Sequence, residues 1–153
     1  MIALILNNTM YTLVYAYVLH SILWWDKHSF VVSCVVLLQT TVVYGLKEFI
    51  KIERPYHYGV GHSFPSAYAA MVTFFAVYYL WLIDRHKPKW SVIRYVFLHL
   101  VVIGYALGCL ISRYIMMYNT SIDIVAGVFV GVLFSVAFVR YQLYYHVEFL
   151  KWE

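Results

Sequence analysis

The sequence has few charged residues, and this scarcity excludes whole classes of protein. Only 12% of its 153 residues are Asp, Glu, Lys or Arg, whereas 64% are hydrophobic. Soluble domains have about 25% charged residues, so the composition excludes a soluble domain and predicts an integral membrane protein. The net charge is only +4 and the basic residues are scattered along the chain. No nucleic-acid partner is therefore expected.

Cysteine is also scarce, and the two cysteines are not arranged as metal ligands. Cys34 and Cys109 lie inside apolar stretches without a paired spacing, so we expect both to be small buried side chains. His20 and His99 also lie within apolar stretches, where hydrogen bonds to a neighbouring helix are expected and a haem-binding pair is the alternative. No metal and no cofactor are predicted.

Long apolar segments make up most of the chain. Five are long enough to cross a bilayer, which needs about 20 residues per helix. They cover residues 2–25, 29–52, 65–83, 90–111 and 120–139 of a single domain, residues 1–153, and a charged tail follows at 140–153. The N-terminus lacks the features of a cleaved signal peptide, so we expect the first segment to be retained. The predicted fold class is all-α, a polytopic membrane helix bundle with about five transmembrane helices.

Three polar clusters interrupt the apolar segments. They are Lys47 with Arg54 and Pro55, then Pro65-Ser66-Ala67-Tyr68, then Ser112-Arg113 with Asn119 and Asp123. Lys47 and Arg54 are seven residues apart and Asn119 and Asp123 are four apart, so each pair would share one face of a helix. Ser66 lies where a loop would enter a helix, whose first N–H groups attract anions.

This pattern resembles the type 2 phosphatidic acid phosphatase family, the membrane relatives of the vanadium haloperoxidases. The family motifs are Lys, six residues, Arg-Pro; then Pro-Ser-Gly-His; then Ser-Arg, five residues, His, three residues, Asp. The first motif is complete in this chain, and the other two keep their spacing. Three positions differ, because Ala67 replaces the glycine while Tyr68 and Asn119 replace the two histidines.

The resemblance implies that four residues hold the oxygens of a phosphate group: Lys47, Arg54, Ser66 and Arg113. In the family, the third-motif histidine is the nucleophile, the aspartate four residues later orients it, and the second-motif histidine protonates the leaving oxygen. Asp123 is retained, but Asn119 is not a nucleophile and Tyr68 is a poor proton donor at neutral pH. We therefore expect a pseudo-phosphatase that binds a membrane lipid with a phosphate head group, or a polyprenyl phosphate, as an accessory, sensor or carrier subunit.

Two alternatives stay open at this stage. One is an active lipid phosphatase that uses a histidine outside the motifs, either His62 or His57, although a loop rarely holds a nucleophile within about 0.5 Å of its required position. The other is a structural subunit with other membrane proteins as partners. Two glycine pairs fit the small-xxx-small pattern of helix packing: Gly104 with Gly108, and Gly127 with Gly131.

The distribution of basic residues predicts an orientation. Seven fall on one predicted side of the membrane, and four fall on the other: Lys47, Lys51, Arg54 and Arg113. Because basic residues are enriched on the cytoplasmic face, the phosphate site is expected on the non-cytoplasmic face, with the N-terminus outside and the C-terminus inside. We expect Asp123 to pair with Arg113 or Arg54, or to cap its helix.

Overall fold

The structure is a computed structural model that describes residues 12, 14–20, 22–23, 27–53, 61–86 and 90–144. These residues form helices joined by loops, and none of the described residues lies in a strand. Residues 14–20 and 22–23 are helical and are named α1 here. The four longer helices are α2 (Lys27–Ile50), α3 (Ala67–His86), α4 (Val92–Ile115) and α5 (Ser121–Tyr144). The predicted all-α fold class is confirmed.

Helices α2 to α5 are each long and apolar enough to cross a bilayer. The candidate spans are His28–Ile50, Ala67–Arg85, Val92–Ile115 and Ser121–Tyr144. The predicted first segment, residues 2–25, lies mostly outside the described residues. Helix α4 continues past its predicted end at 111, and α5 continues past its predicted end at 139. The charged residues Arg113 and Arg140 lie within these helices and do not terminate them. The chain is an integral membrane protein.

Helix α3 is the most buried of the four spans and packs against α2, α4 and α5. Its aromatic side chains form the centre of the core, where Phe74 and Tyr78 are fully buried. Their ring centroids lie 5.8 Å and 5.5 Å from that of Phe138 on α5. Aromatic pairs at this spacing add about 0.5–1.5 kcal/mol beyond the area they bury. The α3–α5 contact is therefore the main interface of the bundle.

Close packing of α3 on α5 depends on two glycines of α5. A Cβ atom at Gly127 would lie 2.4 Å from the carbonyl oxygen of Ser66, and one at Gly131 would lie 2.5 Å from that of Ala70. Both distances are shorter than any real contact, so only glycine allows the two backbones to approach this closely. A Cβ atom added at Gly104 on α4 would have no neighbouring atom within 4 Å. The Gly127 and Gly131 pair therefore packs inside the bundle.

The isolated histidines and cysteines have separate positions in this bundle. His20 Nδ1 lies 3.0 Å from the Ser29 hydroxyl of α2, and His99 Nε2 lies 3.4 Å from the Asp84 carboxylate of α3, so both contact a neighbouring helix. Cys109 is buried, but Cys34 is exposed. The expectation of two buried cysteines is therefore wrong for Cys34, because it lies on the face of α2 that is turned away from the core.

Candidate functional site

The candidate site begins where α2 ends and the loop of residues 61–66 packs against it. Lys47 lies in the last turn of α2 and is only 7% exposed. Its Nζ donates a hydrogen bond to the carbonyl oxygen of His62 at 3.1 Å. The N–H of Ser63 donates to the carbonyl oxygen of Ile52 at 2.9 Å. These two bonds fix the loop beside the Lys47 ammonium group.

Ser66 connects this loop to α3 and caps the helix. Its hydroxyl accepts a hydrogen bond from the N–H of Ala69 at 3.3 Å, which is the contact of an N-cap residue. The N–H of Ser66 donates to the carbonyl oxygen of Asp123 at 3.0 Å, so the start of α3 is bonded to the start of α5. The third apolar segment was predicted to begin at Pro65. Helix α3 begins at Ala67 instead, because Ser66 is its cap.

Asn119, just before the start of α5, is hydrogen-bonded to the loop of residues 61–66. Its side-chain oxygen accepts a hydrogen bond from the Ser66 hydroxyl at 3.2 Å, and its side-chain nitrogen donates to the carbonyl oxygen of Ser63 at 3.3 Å. The residue is 7% exposed. An amide offers one donor group and one acceptor group, and Asn119 uses both for structure. This residue occupies the position at which the family resemblance places the nucleophile.

Asp123 and Thr120 form a reciprocal cap at the start of α5. The Asp123 carboxylate accepts a hydrogen bond from the N–H of Thr120 at 2.7 Å, and the Thr120 hydroxyl accepts one from the N–H of Asp123 at 3.2 Å. This is the arrangement of a capping box. The other carboxylate oxygen lies 3.4 Å from the Ser63 hydroxyl. Of the two roles expected for Asp123, the described residues show the cap, and they show no ion pair with Arg113.

Arg113 lies between two aromatic rings at the end of α4. Its guanidinium carbon is 4.1 Å from the ring centroid of Tyr68 and 5.1 Å from that of Tyr118. Both distances are within the range of cation–π attraction. Arg113 is 9% exposed and Tyr68 is 1% exposed. The guanidinium is therefore held in a nearly fixed position beside the first turn of α3.

The turn after α4 explains why Tyr118 reaches Arg113. The N–H of Tyr118 donates to the carbonyl oxygen of Arg113 at 3.2 Å, and the N–H of Met117 donates to that of Tyr114 at 3.0 Å. Met117 has a φ of 55°, so the turn is a Schellman motif with methionine where glycine is usual. The motif places the side chain of Tyr118 over the last turn of α4. The contribution of Tyr118 was not predicted from sequence, although an aromatic residue directly before Asn119 was visible there.

The structure brings most of the sequence-predicted residues to one end of the bundle. Hydrogen bonds join Ser66, Asn119 and Asp123 directly or through Ser63. Lys47 is connected to this group through the loop at His62, and Arg113 through the turn at Tyr118. Tyr68 also belongs to this end, but its ring packs in the core beneath Arg113. His62 contributes its backbone carbonyl to the contact with Lys47, and its side chain is half-buried. Arg54, Pro55 and His57 lie outside the described residues.

Two further residues of the site were missed in the sequence. Ser63 is fully buried and contacts both Asn119 and Asp123, and Thr120 forms half of the α5 cap. Neither belongs to a family motif. A threonine three residues before an aspartate does match the capping-box pattern, so Thr120 was detectable, whereas Ser63 depends on the path of the loop.

Buried positive charge is the chemical feature that distinguishes this end of the bundle. Two cationic side chains, Lys47 and Arg113, are more than nine-tenths buried. Charge-assisted hydrogen bonds to an anion contribute about 1.5–3 kcal/mol each. Among the described residues, no group of three His, Cys, Asp or Glu side chains could hold a metal ion.

Comparison with known proteins gives one match. No curated protein and no solved structure matches the chain. The model of the PAP2 superfamily matches residues 29–146, which is well over half of the sequence. This range includes all three polar clusters and the helices α3, α4 and α5 that contribute to the site. The chain belongs to the PAP2 superfamily.

Proposed function

We propose that this protein is a non-catalytic member of its superfamily that binds a membrane lipid through the lipid's phosphate group. Lys47 and Arg113 hold the phosphate oxygens, and Arg54 contributes from the end of the first motif. The Ser66 hydroxyl joins them by exchanging its hydrogen bond to Asn119 for one to a phosphate oxygen, because a hydroxyl has a single proton to donate. A lipid phosphate or polyprenyl phosphate fits, because its head group would lie at the ends of α2, α4 and α5. The protein then acts as a sensor, carrier or accessory subunit.

The burial of two cations at one end of the bundle is the observation that supports this proposal. Lys47 and Arg113 are 7% and 9% exposed, and a buried charge costs several kcal/mol unless opposite charge or hydrogen bonds offset it. A phosphate group would add opposite charge and acceptor oxygens beside both side chains. The aromatic faces of Tyr68 and Tyr118 keep the guanidinium in place before the lipid arrives.

The arrangement around Asn119 supports binding without turnover. The side-chain amide is engaged with Ser66 and Ser63, and an amide does not form the phosphoryl–enzyme bond that a histidine forms. Tyr68 is turned into the core under Arg113, so its hydroxyl lies in a buried environment. Loss of a nucleophile typically lowers a rate by about 10⁴ to 10⁶-fold.

The test measures binding and hydrolysis on the same purified protein. Orthovanadate and phosphatidic acid are titrated into nanodiscs, and we expect Lys47→Gln or Arg113→Gln to weaken binding about 10- to 100-fold, which corresponds to about 1.5–3 kcal/mol. Arg94→Gln is the matched control, because Arg94 lies 4.9 Å from the Trp90 ring at the other end of α4. Equal affinity in all three variants would contradict the proposal.

A hydrolysis assay distinguishes the proposed non-catalytic binding protein from an active phosphatase. We expect phosphate release from phosphatidic acid, lipid pyrophosphates and p-nitrophenyl phosphate to be no faster than with Asp123→Asn. Turnover that disappears in His62→Ala would instead identify an enzyme with a loop nucleophile. Absence of anion binding, together with absence of turnover, would favour a structural subunit.

We further infer that the phosphate site faces away from the cytoplasm, with the N-terminus outside and the C-terminus inside. The excess of basic residues at the other membrane face supports this orientation. Met117→Cys and Arg94→Cys, each in a Cys34→Ser background that keeps only the buried Cys109, would place the new thiols on opposite sides. A membrane-impermeant thiol reagent added to intact cells should modify the first and not the second, and the reverse pattern would overturn the orientation.

A further inference from the structure

A cavity lies at the other end of α3, away from the candidate phosphate site. Its volume is about 400 Å³, and it is lined by Trp81, Asp84, Arg85, Gln142 and Leu143. These residues belong to the last turns of α3 and α5. Because both helices cross the membrane, the cavity lies at the level of the lipid head groups on that face.

Gln142 is the most informative residue of this cavity. Its side chain is 1% exposed, yet neither the amide nitrogen nor the amide oxygen has a hydrogen-bond partner among the described residues. A buried amide without partners costs free energy, so native structures nearly always supply them. Gln142 lines the cavity, so a rotation of its amide toward the cavity would let a ligand that offers both a donor and an acceptor satisfy both atoms.

The other lining residues place two opposite charges at the rim. The Asp84 carboxylate accepts a hydrogen bond from the Tyr95 hydroxyl at 2.7 Å and lies 3.4 Å from His99 Nε2. The Arg85 guanidinium carbon lies 5.4 Å from the Trp81 ring centroid. The carbonyl groups at the C-terminal ends of α3 and α5 add partial negative charge, which favours a cation nearby.

We propose that this cavity binds the head group of a phospholipid that carries a primary ammonium group, as phosphatidylethanolamine does. The ammonium would donate hydrogen bonds to Asp84 and to the amide oxygen of Gln142. The phosphate would accept from Arg85 and from the amide nitrogen of Gln142. A quaternary ammonium cannot donate hydrogen bonds, so a choline head group would leave the Gln142 oxygen unsatisfied. This site is separate from the Lys47 site and does not rest on the proposed function.

The experiment compares two glutamines that are equally buried. Gln142→Leu removes the amide from the cavity, and Gln39→Leu is the matched control, because Gln39 is also 1% exposed with an unpartnered amide among the described residues but does not line the cavity. The full chain is incorporated into phosphatidylglycerol nanodiscs that contain one-tenth phosphatidylethanolamine or phosphatidylcholine. Native mass spectrometry then counts the lipids retained on the protein after release.

We expect the parent protein and Gln39→Leu to retain phosphatidylethanolamine in preference to phosphatidylcholine, and Gln142→Leu to retain roughly tenfold less of it. Asp84→Asn provides an independent test if Gln142→Leu fails to fold, and it should abolish the preference for the ethanolamine lipid. Equal retention in Gln142→Leu and Gln39→Leu would overturn the proposal. So would a parent protein that retains the two lipids equally.

Discussion

Replacement of Gly127 by alanine should separate α3 from α5 at the candidate site. Ordinary contact begins at 3.4 Å, and the added Cβ would lie 2.4 Å from the Ser66 carbonyl oxygen and 2.9 Å from the Ala69 Cβ. The nearest atom belongs to the backbone and cannot rotate away, so the helices have to move apart by about 1 Å to bring this contact from 2.4 Å to 3.4 Å. Overpacking of this kind costs about 1–3 kcal/mol, and we expect Gly127→Ala to lie in the upper half of that range.

Gly104→Ala is the control for this prediction. It makes the same chemical change in a membrane helix, but nothing lies within 4 Å of the new methyl group. Its effect should be neutral or favourable by up to about 1 kcal/mol, because alanine favours helix over glycine. Unfolding of both variants in mixed micelles, followed by tryptophan fluorescence, should give a clear difference in the free energy of unfolding. Equal stability would refute the close approach of α3 and α5.

Three further changes test the residues around Arg113. Met117→Gly should raise the free energy of unfolding by about 1 kcal/mol because Met117 has a φ of 55°, whereas Met116→Gly, at a φ of −78°, should not. Tyr68→Phe should keep vanadate affinity within about threefold, while Tyr68→Leu should lower it roughly tenfold by removing a cation–π partner of Arg113. Equal affinities in the two variants would show that the Tyr68 ring does not hold Arg113 in place for binding. Asn119→His combined with Tyr68→His should raise phosphate release at least about 10²-fold, and neither single change should do so. A folded double variant that binds vanadate without turnover would contradict this last expectation.

The spans and the polar clusters could be predicted because they depend on local sequence. A run of about 20 apolar residues crosses a bilayer whatever surrounds it, and the interval from Asn119 to Asp123 is one turn of a helix. Contacts between segments could not be predicted in the same way. The Tyr68 ring lies under Arg113 only because α3 and α4 pack side by side, and no spacing in the sequence encodes that contact.

The roles of single site residues were harder to predict than their positions. Asp123 was expected to pair with an arginine or to cap α5, and the structure shows the cap with Thr120. The exposure of Cys34 could not be predicted either, because hydropathy does not tell which face of α2 contacts lipid. In a membrane protein, the helix face that packs in the core and the face that contacts lipid are both apolar.

The capping roles of Ser66 and Asp123 affect how activity can be inferred from motifs. Both side chains cap helices, so the bundle would require them even in a protein that never meets a phosphate group. Their presence in a sequence is therefore poor evidence for an enzyme. Positions without a capping role, such as 68 and 119, are better guides. A survey that sorted related chains by the side chains at those two positions would separate catalysts from binders more cleanly than one that counted complete motifs.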